Sequence, residues 1–517
     1  METDMKKREK FFLNGIVLSL VGLVMKGAAL TLGAYISRTV GAEGVGLHSL
    51  VMNVYGFAFT FATAGISLTV TALVAAAIGD CGIEREGEVM RGAFIYASVL
   101  GLIASLLLFV LSPAIATYVL SDRRLARPLA ILSLSLIPSS LVSVISGYFI
   151  GKRRVFQNAC LQILSQVARV VFTVSLLSHS GRDPVSSITA LSMGVTLTEI
   201  TVLILSLIEL FLARVGTYGK KGGTSDVRGV SAVALPIALS AYVRSALITL
   251  EHAIIPMRLL RHGGNREEAL SSYGYLHGMA LPLLLYPLVP LSSFGSLLLP
   301  EFAEAKARGE GKRMRRIASL SLSRTLRYAI IVGVLLFLFS EELGYAVYGS
   351  YDVGRYIAIL APVVPLMFLD HVADNMLKGI GEQVYSMWVN ILDSILSVAL
   401  VFVLLPIMGI EGYAIVIIAM ELFNFTLSII RLSTRVGFSL DILRDGVIPL
   451  ALAACSGVLT RLLFTPSGKD TPAFVLVLEI VFAISLYVAL SAVLSRLPLN
   501  KGIEDDHRRK SEEKEIG

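Results

Sequence analysis

Tryptophan occurs once and cysteine three times in the 517 residues. Cys81, Cys160 and Cys455 form no CxxC and no His-paired spacing, which argues against a disulfide framework, a zinc ribbon or a thiol redox centre. Charge is also scarce: Asp, Glu, Lys and Arg make up 16% of the chain, against about 25% in soluble domains. Catalytic signatures are missing as well. There is no HExxH or GxSxG, and Gly151-Lys152 lacks the upstream glycine spacing and the following hydroxyl of a phosphate loop. No cofactor, metal or ATP site is expected. Net charge is +7, but no nucleic-acid-binding motif accompanies it, so no nucleic acid partner is expected.

What the chain has in excess is apolar sequence. Hydrophobic residues reach 55% and mean hydropathy is +0.76. One globular core cannot absorb so much, so lipid is the solvent. Only helices and closed barrels satisfy the backbone in hydrocarbon. The apolar runs have helix length rather than the alternation of barrel strands. The predicted fold class is an all-α polytopic membrane protein of about fourteen transmembrane helices. The spans fall near 12–37, 46–78, 91–118, 125–150, 156–178, 187–212, 230–256, 271–299, 318–339, 356–378, 384–406, 410–431, 443–464 and 473–496. The first is expected to stay uncleaved, because no small-x-small site ends it.

Lysine and arginine set the orientation. One set of connections carries about 27 of them, including KARGEGKRMRR at 306–316, against about 10 on the other. The richer side is therefore cytoplasmic, and an even span count puts both termini there. SDRRLARP and MRLLRHGGNREE are basic segments on the opposite side. The predicted organisation is a cytoplasmic N-terminus at 1–11, a six-helix N-lobe at 12–213 and a basic, Gly-rich linker at 214–229. A C-lobe at 230–432 follows, then two further helices within 433–498 and a polar tail at 499–517.

The organising feature is a charge inside the first span. Lys26 sits mid-span, where a lysine costs about 3 kcal/mol on insertion scales, so it must snorkel, pair or face water. Arg244 repeats the arrangement 218 residues later, and Tyr273-Gly274 follows Tyr55-Gly56 at the same offset. This is the trace of two pseudo-symmetric halves. Lys26, Arg244, Arg169 and His277 are the expected cavity residues, suited to a diphosphate or another anionic head group. The competing reading of the cations is structural pairing with Glu199 or Glu251. Glu251, Asp393, Asn390, Glu421 and Asn424 offer oxygen ligands for Na+ or H+ coupling, or plain helix-packing hydrogen bonds. Asp370, His371 and Asp374 (DHVAD) have metal-like types but no third ligand from another segment. Pro138, Pro236, Pro282, Pro287, Pro290, Pro362 and Pro365 fall inside spans, where proline bends a helix.

Three stretches carry a resemblance. GAEGVGLHSL at 41–50, GYFIGKRRVFQNACLQILSQVARVV at 147–171 and LKGIGEQVYSMWVNILDS at 377–394 resemble flippases of the stage V sporulation protein B type. Gln162, Gln166 and Arg169 match that family's Q-x-x-x-Q-x-x-R-like helix. His48 stands where the family leads one to expect an aromatic. The resemblance extends to polysaccharide exporters and MurJ-type lipid II flippases, and more distantly to drug-exporting MATE proteins. It implies a two-lobed, V-shaped transporter with alternating access, acting on polyprenyl-diphosphate-linked saccharides, with Lys26 in the central cavity.

The expectation is therefore a non-enzymatic flippase of a bacterial plasma membrane. It would move peptidoglycan-precursor or polysaccharide units through surrounding membrane lipid, in a sporulation or cell-wall pathway, with cell-wall synthases as candidate partners. Its rivals are a cation-coupled MATE-type exporter, a membrane glycosyltransferase or ligase, and a non-transporting scaffold.

Overall fold

The computed structural model describes residues 2–79, 83–152, 154–181, 183–212, 226–263, 265–464 and 472–496. Most of the expected linker, the tail at 499–517, Cys81 and Arg153 lie outside them. The described residues contain helices and turns and no strand. They form two compact units, one of residues 17–282 and 384–420, the other of 1–16, 283–383 and 421–517.

Twelve described helical stretches are long and apolar enough to cross a membrane. Two of them, Gly22–Ala77 and Gln383–Arg435, run to 56 and 53 residues. Straight helices of that length would reach roughly 80 Å, far beyond a hydrocarbon core of about 30 Å. Each is broken by a glycine outside helical backbone space. Gly41 has φ 76° and ψ 176°, and Gly409 has φ 63° and ψ −144°. A side chain disfavours both conformations. Each stretch is thus long enough for two crossings, and counted so the twelve described stretches would supply the fourteen crossings expected from the sequence.

In the unit of residues 17–282 and 384–420, α1 (Glu2–Thr63) is followed by α2 (Ile66–Gly79) after a turn at Gly65 with φ 77°. Then come α3 (Ile83–Ala114), α4 (Ala126–Ser133), α5 (Leu136–Gly151), α6 (Val155–His179), α7 (Pro184–Leu212), α8 (Val227–His262) and α9 (Arg266–Tyr273). Asp226 caps α8 by accepting from the Gly229 N–H at 2.8 Å. Asn265 and Glu268 close a capping box on α9. Ile66, Val70 and Val74, one turn apart on α2, pack with Val144, Ile145, Tyr148 and Phe149 of α5 and Ala93 and Ala97 of α3.

The other unit contains α10 (Leu281–Leu285, begun in the first unit), α11 (Val289–Ala307), α12 (Gly311–Leu338), α13 (Ser340–Tyr348), α14 (Tyr351–Leu360) and α15 (Val364–Gly379). It also takes the end of α16 (Gln383–Arg435), with α17 (Ile448–Leu463) and α18 (Ala473–Arg496). Leu369, Val372, Ala373, Met376 and Leu377 of α15 pack with Leu298 and Phe302 of α11 and with Ala318 and Leu322 of α12.

One backbone contact occurs in both units. A Cβ on Gly147 of α5 would lie 2.6 Å from the Ser67 carbonyl oxygen of α2, and one on Gly379 of α15 would lie 2.7 Å from that of Leu299 on α11. Both partners are displaced by the same 232 residues. Only glycine allows so close a crossing. The prolines act differently from simple kinks. Pro287, Pro290, Pro362 and Pro365 occupy first turns, where no N–H is needed. They restart helices after short 3-10 turns, whereas Pro236 and Pro256 lie inside α8.

Candidate functional site

Lys26 lies on the first crossing of α1 with its side chain exposed, and it forms no ion pair with a described residue. Its neighbour Met25 lines a pocket of about 270 Å³. The other walls come from α5 (Val142, Ser146), α6 (Asn158, Gln162, Gln166, Arg169) and α7 (Glu199). Gln162, Gln166 and Arg169 recur at i, i+4 and i+7, so one face of α6 delivers all three. Arg169 Nη2 is 3.6 Å from Glu199 Oε1. Ser139 Oγ lies 3.0 Å from the other carboxylate oxygen. Ser146 Oγ donates to Asn158 Oδ1 at 2.8 Å. Gln166 Nε2 and Arg169 Nε are sealed from solvent without a hydrogen-bond partner among the described residues. Arg169 is thus half-neutralised by a carboxylate and sits in an amide- and hydroxyl-rich pocket.

Arg244 lies on α8, also exposed and without an ion pair to a described residue. The helix beside it is tied to the end of α1 by two bonds. Tyr242 OH donates to the Phe61 carbonyl at 3.2 Å, and Ser245 Oγ donates to Thr60 Oγ1 at 3.3 Å. Of the two repeated tyrosines, Tyr55 is hydrogen-bonded to Ser135 Oγ at 2.8 Å, and Tyr273 to Asn53 and His252.

His277 does not stand alone as an isolated cation would. It lies in a π-helical segment, Gly274–Ala280, a feature frequent at functional sites. Its ring centroid is 4.2 Å from that of His252. The Tyr273 ring stacks on it at 5.2 Å and 11°.

The expected ion ligands separate. Glu251 Oε1 accepts from Ser397 Oγ at 2.7 Å, and Asp393 is close enough to act on its charge. Asn390 turns its amide to the Ser386 carbonyl of its own helix, at 2.7 Å. Glu421 and Asn424 belong to the other unit. In the DHVAD stretch, Asp374 pairs with Lys378 at 2.6 Å. No group of three His, Cys, Asp or Glu that could hold a metal occurs among the described residues.

Sequence reading named Arg169 and weighed Glu199 as its partner. It overlooked Asn158 as part of the same pocket and did not join His252 to His277. The α6 spacing could have supplied the first. The second needs the crossing of two helices, which one sequence does not show.

The model of the family described as polysaccharide biosynthesis protein matches residues 12–306, more than half of the chain. The MatE model matches residues 267–403. Stage V sporulation protein B of Bacillus subtilis (strain 168) is 25% identical over 433 residues, covering 80% of this chain and 81% of that protein. The lipid II flippase MurJ of the same organism is 21% identical, covering 84% and 87%. Among solved structures, an inward closed MurJ superposes with TM-score 0.71 at 14% identity, over 93% of this chain and 99% of that one. An inward-facing multidrug resistance MATE transporter of the MOP superfamily gives 0.63 at 15%, over 80% and 98%. The fold is thus that of MurJ and MATE proteins, and the chain belongs to the polysaccharide biosynthesis protein family.

Proposed function

We propose that the chain is a flippase that moves a polyprenyl-diphosphate-linked saccharide across a bacterial plasma membrane by alternating access. The observation that carries this reading is the pair of exposed cations inside spans, Lys26 and Arg244, which form no ion pair with a described residue. A lipid-facing helix does not keep such charges, whereas a diphosphate head group needs them, because burying its charge alone costs tens of kcal/mol. The family match and the likeness to a lipid II flippase support it. In this reading residues 12–213 and 230–432 act as the two lobes, both termini are cytoplasmic, and Arg169 presents its free edge to substrate. Na+ or H+ near Glu251, or the membrane potential, supplies the drive, and cell-wall synthases take up the product. Transport rather than catalysis is the activity.

The second reading is a cation-coupled drug exporter, favoured by the MatE match and the MATE-like fold. Proteoliposomes holding fluorescent undecaprenyl-diphosphate saccharide, assayed for head-group accessibility, separate the two. Flipping should depend on the protein and fall about tenfold or more with Lys26→Ala plus Arg244→Ala, since each removes a charge-assisted contact. Equilibration that ignores both substitutions sinks the mechanism. Export of lipophilic cations in its place selects the rival.

A further inference from the structure

We propose that His277 binds a single proton, with Tyr273 and His252 built around it as a site that admits no second charge. The hydrogen-bond inventory sets this out. The Asn53 amide donates to Tyr273 OH at 3.1 Å. The phenol keeps its own hydrogen, and in this proposal the acceptor of that hydrogen is His252 Nδ1, also 3.1 Å away. An acceptor Nδ1 fixes His252 as the neutral ring with its hydrogen on Nε2. His277 differs in that its Nδ1 is sealed from solvent and has no partner among the described residues. A buried polar atom left open in this way calls for an explanation.

A proton fits that place. It would enter on the Nδ1 lone pair of His277, leaving hydrogens on both ring nitrogens and forming no other bond. Tyr273 lies nearly parallel to this ring, offset with 5.2 Å between centroids, and an aromatic face attracts a cation. His252, with its ring centroid 4.2 Å away, cannot charge as well, because two like charges at that separation repel strongly. Tyr273 thus does two jobs: its ring favours a charged His277, and its hydroxyl keeps His252 neutral. The other titratable groups around the cluster are Glu251 on α8 and Asp393 and Tyr413 on α16. Glu251 is engaged by Ser397.

The proton site stands by itself. Only its use as a coupling site rests on the transport function proposed above, where H+ would then be the coupling ion.

The test is histidine-ring ¹⁵N NMR on the full-length protein in lipid nanodiscs, titrated from about pH 8.5 to about pH 4.5. His252→Gln and His277→Gln assign the signals. His277 is expected to become doubly protonated while His252 stays neutral with its hydrogen on Nε2 throughout. Tyr273→Phe should keep the His277 response and release the His252 tautomer. Tyr273→Leu should weaken proton binding at His277 roughly threefold or more. Titration of both rings, a silent His277, or a His252 tautomer indifferent to Tyr273→Phe each overturns the proposal. None of these readings depends on transport, so a failed flipping assay leaves the outcome intact. If flipping is observed, His277→Gln should flatten its dependence on pH.

Discussion

Arg266 Nη2 stands 3.5 Å from Asp122 Oδ2, joining the start of α9 to the loop before α4. Its guanidinium also donates to the carbonyls of Ser121 and Leu120, the latter at 3.1 Å. Ser121 is held at φ 53°, the left-handed region that side chains avoid. Arg124 completes the clamp, with Nε 3.0 Å from Oδ1 and Nη2 2.9 Å from Oδ2 of Asp122. Burial pushes the Asp122 carboxyl up, but the Arg124 hydrogen bonds and the charges of Arg124 and Arg266 outweigh it and hold the carboxyl below its usual range.

Asp122→Asn is therefore expected to loosen both segments. Both arginines are partly exposed, so the loss should be modest, about 1–2 kcal/mol. Backbone hydrogen exchange at residues 116–125 should speed up about tenfold at neutral pH. A carboxyl depressed in the folded state stabilises above its unfolded pKa and loses that contribution as pH falls through the folded value. The difference between wild type and variant should hence be full at neutral pH and close below about pH 4. A gap that persists in acid would contradict the assignment.

Glu382, between α15 and α16, is a second acid-sensitive point. Arg431 donates to its Oε2 from Nε at 3.1 Å and from Nη2 at 2.6 Å, and Arg435 Nε is 2.7 Å from Oε1. The Arg431 hydrogen bonds come first in holding this carboxyl low, aided by the charges of Arg431, Arg435 and Lys306. The sign is the same as at Asp122. Glu382→Gln should lower the melting temperature in detergent at neutral pH and leave it unchanged well below pH 4.5, the carboxyl's ordinary value. Arg431→Lys should behave like a loss, since a lysine cannot reproduce the two-pronged contact.

The two kink glycines should respond unequally. Alanine at Gly41 pays conformational strain alone, about 1–2 kcal/mol, because nothing lies within 4 Å of its Cβ position. Alanine at Gly409 would in addition meet His262 Cδ2 at 2.8 Å. Thermal unfolding should rank Gly409→Ala below Gly41→Ala, and His262→Ala should recover part of the difference. Equal melting temperatures would show that His262 yields freely.

Arg169 and Glu199 should be non-additive. Arg169→Ala strands a buried carboxylate, whereas the double substitution with Glu199→Gln removes the charge and keeps an amide within reach of Ser139. The double variant is expected to be the more stable of the two, by about 1–2 kcal/mol after allowing for the partial exposure of Arg169. Chemical unfolding in detergent reads this directly. A double variant as unstable as the sum of the singles would dismiss the pairing.

Much of the fold was legible because membrane crossings are a matter of length and polarity. The spans read at 384–406 and 410–431 meet at the Gly409 kink, and those at 12–37 and 46–78 flank Gly41. The first proline reading was coarser: as bends, Pro287 and Pro362 pass for defects, and only the restarted helices show them as beginnings. At the site, the cation types were visible but not their company. Whether Arg169 meets Glu199, or His277 meets His252, depends on which faces of separate helices touch, and periodicity within one helix carries no such information. The close approach of Gly379 to α11 was hidden for the same reason.

The matched crossings at Gly147 on Ser67 and Gly379 on Leu299 bear on how these bundles can move. Where backbone rests on backbone with no knob between, separation is resisted by close packing, while travel along the contact meets few obstacles. Each helix pair is in that sense a rail. Motion within either bundle should run as a glide along it, leaving the helices seated.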